Sequence, residues 1–92
     1  MRINWSNEKK TLLKNSRDIS FEDVEVAIMN DNIIDIIPHF NPAKYPNQEI
    51  MIVEIRGYVH YVPFVMDDSQ IFLKNIIPSR KYHKIYKGAK NV

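Results

Sequence analysis

Residues 50–65 read IMIVEIRGYVHYVPFV, two β-branched and aromatic runs separated by Arg56-Gly57. A two-residue connection ending in glycine closes a tight antiparallel hairpin, so strands are expected over Ile50–Ile55 and Tyr58–Val65. Pro63 lacks an N–H to give to a ladder, which points to an edge or a bulge at that position. Asp67-Asp68-Ser69 marks the next turn, and Gln70–Ile77 reads as a further strand. Upstream, Asn30-Asp31-Asn32 interrupts the chain before Ile33–Ile37, a β-branched run that ends at Pro38. Between these strands, HFNPAKYPNQ (39–48) has the prolines and asparagines of a loop.

Ahead of the strands, the periodicity is helical. Ser6 is placed to cap a helix with Glu8 in its first turn, where the dipole favours an acid, and that helix should run to about Ser16. Ser20-Phe21-Glu22-Asp23 resembles a capping box with Asp at its last position, and Ile19 and Val24 are spaced to staple it. Phe21, Val24 and Ile28 recur at helical spacing, giving a second helix of about nine residues. The order of elements implies an α+β fold: two N-terminal helices, a four-stranded antiparallel sheet with helices on one face, and a C-terminal helix.

Ninety-two residues make one domain, 1–92. The chain has no cysteine, which fits a reducing compartment, and only two glycines, so Gly-rich phosphate loops are absent. No apolar run approaches the roughly 18 residues needed to cross a bilayer, and no signal-peptide pattern opens the chain. A cytoplasmic protein with no membrane partner is expected.

The net charge of +2 conceals a segregation. Residues 1–17 carry Arg2, Lys9, Lys10, Lys14 and Arg17 against Glu8 alone, a net of +4. Residues 78–92 carry Arg80, Lys81, Lys84, Lys87 and Lys90 with no acid, a net of +5, and the intervening segment is acidic. If the two ends meet, they form a basic patch suited to nucleic acid. On a helical wheel, Arg80, His83, Lys84 and Lys87 fall within an arc of about 100°, while Tyr82, Ile85 and Tyr86 lie opposite. Pro78 suits the first turn of such a helix and Gly88 its C-terminal cap. The expected picture is a helix docked through its tyrosines with the basic arc outward.

These residues resemble the BrnT family of bacterial toxins, the ribonuclease half of a type II toxin–antitoxin pair. The likeness covers nearly the whole chain: Trp5 followed four residues on by Lys9, ISFED (19–23), and IIPSRK (76–81), with KYPNQ (44–48) and VPFV (62–65) similar to one branch. The resemblance implies a small RelE-like fold, metal-independent RNA cleavage with no cofactor, and neutralisation by a cognate antitoxin in a hetero-oligomer. It also implies roles for Lys9, Arg80 and the adjacent Lys81.

Cleaving RNA without a metal requires a base for the 2′-OH, cations for the phosphorane and an acid for the leaving oxygen. Arg80 suits the second task because its planar fork binds two phosphate oxygens. His83 lies between Arg80 and Lys84–Lys87, where neighbouring positive charge favours the neutral imidazole that a base requires; the alternative is a surface histidine without a role. Lys9 lays its stem on Trp5 or projects its ammonium into a cleft. Lys10, Lys14 and Arg17 share one arc of the first helix, a candidate phosphate track, and Lys81, Lys84 and Lys87 are candidate RNA contacts. Tyr45 with Asn47-Gln48 is suited either to stacking on and reading a base or to turn chemistry. His39 and His60 are secondary candidates, and the three histidines lack carboxylates at metal-ligand spacing. A non-catalytic nucleic-acid-binding module explains the same basic ends.

Overall fold

The computed structural model describes residues 2–88; the side chain of Arg17 and residues 89–92, which include Lys90, lie outside the described part. Arg2–Trp5 forms β1 and Asn7–Arg17 α1. Ser6 caps α1 by accepting the Lys9 N–H on its hydroxyl, and Asp18 ends it in the left-handed region at φ 50°. Phe21–Met29 forms α2, opened by the anticipated capping box in which the Ser20 N–H donates to Asp23 Oδ2 at 3.2 Å. Then follow β2 (Ile33–Pro38), β3 (Glu49–Ile55), β4 (Tyr58–Met66), β5 (Gln70–Leu73), β6 (Ile77–Pro78) and α3 (Arg80–His83), which continues as a π-helical turn over Lys84–Gly88.

The hairpin forms as its sequence dictates. Arg56 and Gly57 both take positive φ (54° and 80°), and β3 pairs with β4 from Glu49↔Phe64 to Ile55↔Tyr58. The sheet is mixed rather than four-stranded and antiparallel, with strand order β1-β5-β4-β3-β2 and β6 also on β4. β1, a strand not expected from the sequence, runs parallel to β5. At four residues it is too short for a periodicity signal, and the capping pattern at Ser6 masks it. The run Gln70–Ile77 is also two strands. Lys74–Ile76 leaves the strand pairing with β4, although the Lys74 N–H still bonds the Pro63 carbonyl at 2.8 Å.

That break explains Pro63. It sits in the central strand rather than at an edge, but its nitrogen and carbonyl face the same side, the side where β5 and β6 are interrupted. A missing donor therefore leaves no acceptor unpaired.

Alternation along β3 separates two apolar layers. Met51, Val53 and Ile55 face Leu13 of α1, Phe21, Val24 and Ala27 of α2, and the residues Phe64, Leu73 and Ile76, with Trp5 stacked on Phe21 at 5.6 Å. Ile50 and Ile52 point the other way and, with Val59, pack against Tyr61, Tyr82 and Tyr86. Helices thus cover both faces of the sheet, α1 and α2 on one and α3 on the other, correcting the one-sided arrangement expected from element order. The reason lies in β3: it is buried on both sides, and a strand apolar on both faces needs two covers. No helix among the described residues is long and apolar enough to cross a membrane.

Candidate nucleic-acid interface

Pro78 ends β6 instead of starting a helix, and Ser79 then caps α3, accepting the Tyr82 N–H on Oγ at 3.1 Å. Ser79 is itself buried and donates its N–H to the Val59 carbonyl at 3.1 Å, which ties the start of α3 to β4. His83 adds a second tie. Its Nδ1 accepts the Val59 N–H at 3.2 Å, and its ring stacks on Tyr58 with centroids 4.3 Å apart. Accepting that bond uses the Nδ1 lone pair, so the neutral ring carries its proton on Nε2.

Further along, Tyr86 donates its hydroxyl to Asp35 Oδ2 at 2.8 Å, and Lys87 pairs with Glu54 at 2.7 Å. The Asp35 hydrogen bond, followed by burial, raises the Tyr86 phenol above its ordinary value, because both favour the protonated form. Asp35 reaches this position next to a register irregularity between Ile33 and Asp35, which re-aims the strand's side chains.

The basic arc is therefore divided. Arg80, Lys81 and Lys84 are exposed and form no ion pair among the described residues, while His83 and Lys87 turn inward and hold the helix to the sheet. Ile85, expected on the docked arc, is 49% exposed. The π-helical turn explains both departures. Its smaller angular step per residue swings Ile85 outward and Lys87 toward Glu54, relative to a regular α-helix.

The first helix presents its charge differently. Lys10 Nζ lies 2.6 Å from Glu22 Oε1, a contact that holds the Glu22 carboxyl below its usual value. Lys14 pairs with Asp18 at 3.5 Å, and Arg56 reaches the Asp18 carbonyl at 2.7 Å and Asp23 at 3.7 Å. The groove between α1 and α2, about 490 Å³, is thus lined by lysines already opposed by a carboxylate. Lys9 is half-buried on α1. Since α1 and α3 cover opposite faces, Lys9, Lys10 and Lys14 do not share a site with Arg80, and the basic ends do not form one cleft.

Beside α3, on the same face, lies a cleft of about 330 Å³. The 39–48 loop supplies His39, Phe40, Tyr45 and Gln48, the floor includes Ile50 and Tyr61, and the β5–β6 connection adds Lys74 and Asn75. An aromatic chain links cleft and helix: His39 to Tyr45 (4.5 Å), Phe40 to Tyr61 (5.2 Å) and Phe40 to Tyr82 (6.0 Å). Lys81 Nζ sits 5.5 Å from the Tyr82 ring centre. Exposed cations flanking aromatic rings provide both elements of single-strand binding, phosphate attraction and stacking surface.

Of these residues, Tyr45, Gln48 and His39 stand out in the sequence, whereas Phe40, Tyr61, Lys74 and Asn75 do not. Phe40 carries the clearest missed signal, a large apolar residue inside a Pro/Asn loop that has no amphipathic period to account for it. His60 is buried in β4, with its Nδ1 2.9 Å from the Tyr58 carbonyl, and does not line the cleft. Among the described residues no cluster of three or more His, Asp or Glu is arranged to hold a metal. No protein-family model, curated protein or solved structure matches this chain.

Proposed function

We propose that this protein is a cytoplasmic ribonuclease toxin of the RelE-like kind, cleaving RNA without a metal and silenced by a cognate antitoxin. The RNA strand lies on the face that carries α3. The observation that carries this reading is the set of exposed cations that form no ion pair among the described residues, Arg80, Lys81 and Lys84, beside a cleft lined with aromatic rings. Such a surface attracts a flexible polyanion whose bases are free to stack, which is single-stranded rather than duplex RNA.

In this reading Arg80 stabilises the phosphorane through its fork, and Lys81 and Lys84 bind flanking phosphates. His83 contributes as a hydrogen-bond donor through Nε2–H, toward a phosphorane or leaving oxygen, rather than as the base, because Nδ1 is bonded to Val59. The antitoxin silences the enzyme by laying an acidic segment over the same cations, so RNA and antitoxin compete and salt weakens their complex.

One observation favours a second reading, a non-catalytic RNA-binding module. Both histidines near the cleft bond a backbone amide through Nδ1, His83 to Val59 and His39 to Asn41, so neither presents a free acceptor nitrogen for the 2′-OH proton. Incubating purified protein with end-labelled RNA in EDTA separates the two. Strand cleavage supports the toxin, salt-sensitive binding without cleavage supports the module, and the absence of both cleavage and binding would contradict both.

A further inference from the structure

Local hydrogen bonds shape both walls of the cleft beside α3. Within the 39–48 loop, His39 Nδ1 accepts the Asn41 N–H (3.0 Å), the Asn41 carbonyl accepts the Tyr45 N–H (3.0 Å), and the Tyr45 carbonyl accepts the Gln48 N–H (3.2 Å). Pro42 and Pro46 fix two further φ angles. Opposite, Asn75 Oδ1 accepts the Ile76 N–H at 2.9 Å, so its amide NH₂ remains a donor. A loop ordered in advance binds its ligand without a further loss of chain entropy.

Two side chains in this cleft are unexplained by folding. Phe40 is 52% exposed, yet its ring is held by stacking on Tyr82 at an interplanar angle of 12° and by an edge contact with Tyr61. Its uncovered surface borders the cleft. An apolar ring kept in water and fixed in orientation gains from a planar ligand laid on it. Gln48 is half-buried at the same cleft, and its side-chain amide makes no hydrogen bond among the described residues, so a donor and an acceptor stay available together. Lys74, also lining the cleft, sits with Nζ 5.2 Å from the Phe72 ring centre.

We propose that this cleft receives one unstacked nucleobase of single-stranded RNA, with Phe40 as stacking platform, Gln48 reading the base edge and Lys74 holding the adjacent phosphate. The proposal rests on the RNA reading above and adds a base-reading site to it. The paired donor and acceptor of a glutamine amide match the N6 and N7 edge of adenine, the edge that glutamine commonly reads, and adenine is the base assigned to the site.

The test is the affinity of equal-length A, U and C oligoribonucleotides, followed by fluorescence anisotropy. Their equal charge removes phosphate attraction as a source of difference. The wild type should bind the A oligomer several-fold more tightly than the U oligomer. Phe40→Leu, which keeps an apolar group but no ring face, should weaken binding roughly tenfold, and Phe40→Tyr should retain it. Gln48→Ala should bring the A oligomer to the level of the U oligomer without weakening the latter. Thermal melting of each variant establishes that it is folded. Equal affinities for all three oligomers, with Phe40→Leu unchanged while Arg80→Ala still weakens binding, would overturn the base site and leave the RNA reading intact. Absence of any RNA binding would overturn both.

Discussion

Lys10 and Lys14 on α1 lie against Glu22 and Asp18, whereas Arg80, Lys81 and Lys84 on α3 and its π turn are exposed and have no carboxylate partner among the described residues. From charge counts alone the two segments look alike, at +4 and +5. The difference arises because α1 packs beside the acidic start of α2, while Asp35 and Glu54, which meet the C-terminal helix, are bonded to Tyr86 and Lys87. Local charge density therefore says little about a binding surface until the counter-charges have been placed. A lysine already opposed by a carboxylate gains little from a phosphate, and an unopposed arginine gains more.

Under the proposed ribonuclease reading, the largest effect that separates the two helices is on cleavage. Arg80→Ala should lower the single-turnover cleavage rate by roughly 10²–10³, the loss of one preorganised donor. Arg80→Lys should restore only part of that rate, since a point charge does not reproduce the fork. Lys10→Ala should cleave at the wild-type rate. Equal losses for Arg80→Ala and Lys10→Ala would erase the distinction between the helices.

Next is the dependence of the surface on docking. Tyr82→Ala should destabilise the fold by about 2–4 kcal/mol and also weaken RNA binding, because the helix that presents Arg80 is held by that ring. Leu13→Ala, on the opposite layer, should destabilise by a similar amount, about 2–5 kcal/mol, while the folded fraction keeps full RNA affinity. Urea unfolding paired with RNA titration at low denaturant reads both quantities. Loss of RNA affinity in folded Leu13→Ala would show that the two faces are coupled.

What the sequence made legible follows the same division. Both N-terminal helices and the hairpin were readable because Ser6, the Ser20–Asp23 box and Arg56-Gly57 are local signals that form within a few residues. β1 and the split between β5 and β6 were not, since a parallel pairing across 68 positions, such as Arg2 with Gln70, leaves no local trace. The tyrosine docking of α3 was legible from its periodicity. The inward turn of Lys87 was not, because the wheel assumes a regular α-helical step and the chain winds into a π turn at Lys84. Likewise, Tyr45 and Gln48 were recognisable as candidates, but Phe40, Tyr61 and Asn75 join them only through the fold.

A smaller effect concerns pH at the C-terminal helix. The Asp35 bond raises the phenol of Tyr86 above its ordinary value of 10.0, so this interaction contributes its full stability below about pH 10 and loses it as pH rises through the raised value. Alkaline unfolding of the wild type should therefore show a limb that Tyr86→Phe lacks. An identical alkaline profile for both would remove this anchor from the account of α3.

The smallest effect is on α1. The Lys10 contact lowers the Glu22 carboxyl below its ordinary value of 4.5, so its contribution is present above that pH and fades as pH falls through the lowered value. Both side chains remain over 40% exposed, and Lys10→Ala should cost well under 1 kcal/mol at neutral pH. Acid titration of stability for wild type and variant measures it. A loss of several kcal/mol would mean that α1 depends on this pair far more than its exposure implies.

The salt dependence of RNA affinity tests the contrast between the helices most directly. For single strands, log K falls with log salt by about 0.7 per phosphate neutralised. Replacing Arg80 and Lys84 together by alanine should reduce the slope by about 1.4 and weaken binding at every salt concentration. Replacing Lys10 and Lys14 together should leave slope and affinity at wild-type values. A slope that falls for the Lys10/Lys14 pair and stays fixed for the Arg80/Lys84 pair would place the RNA on the other face of the sheet and contradict the account.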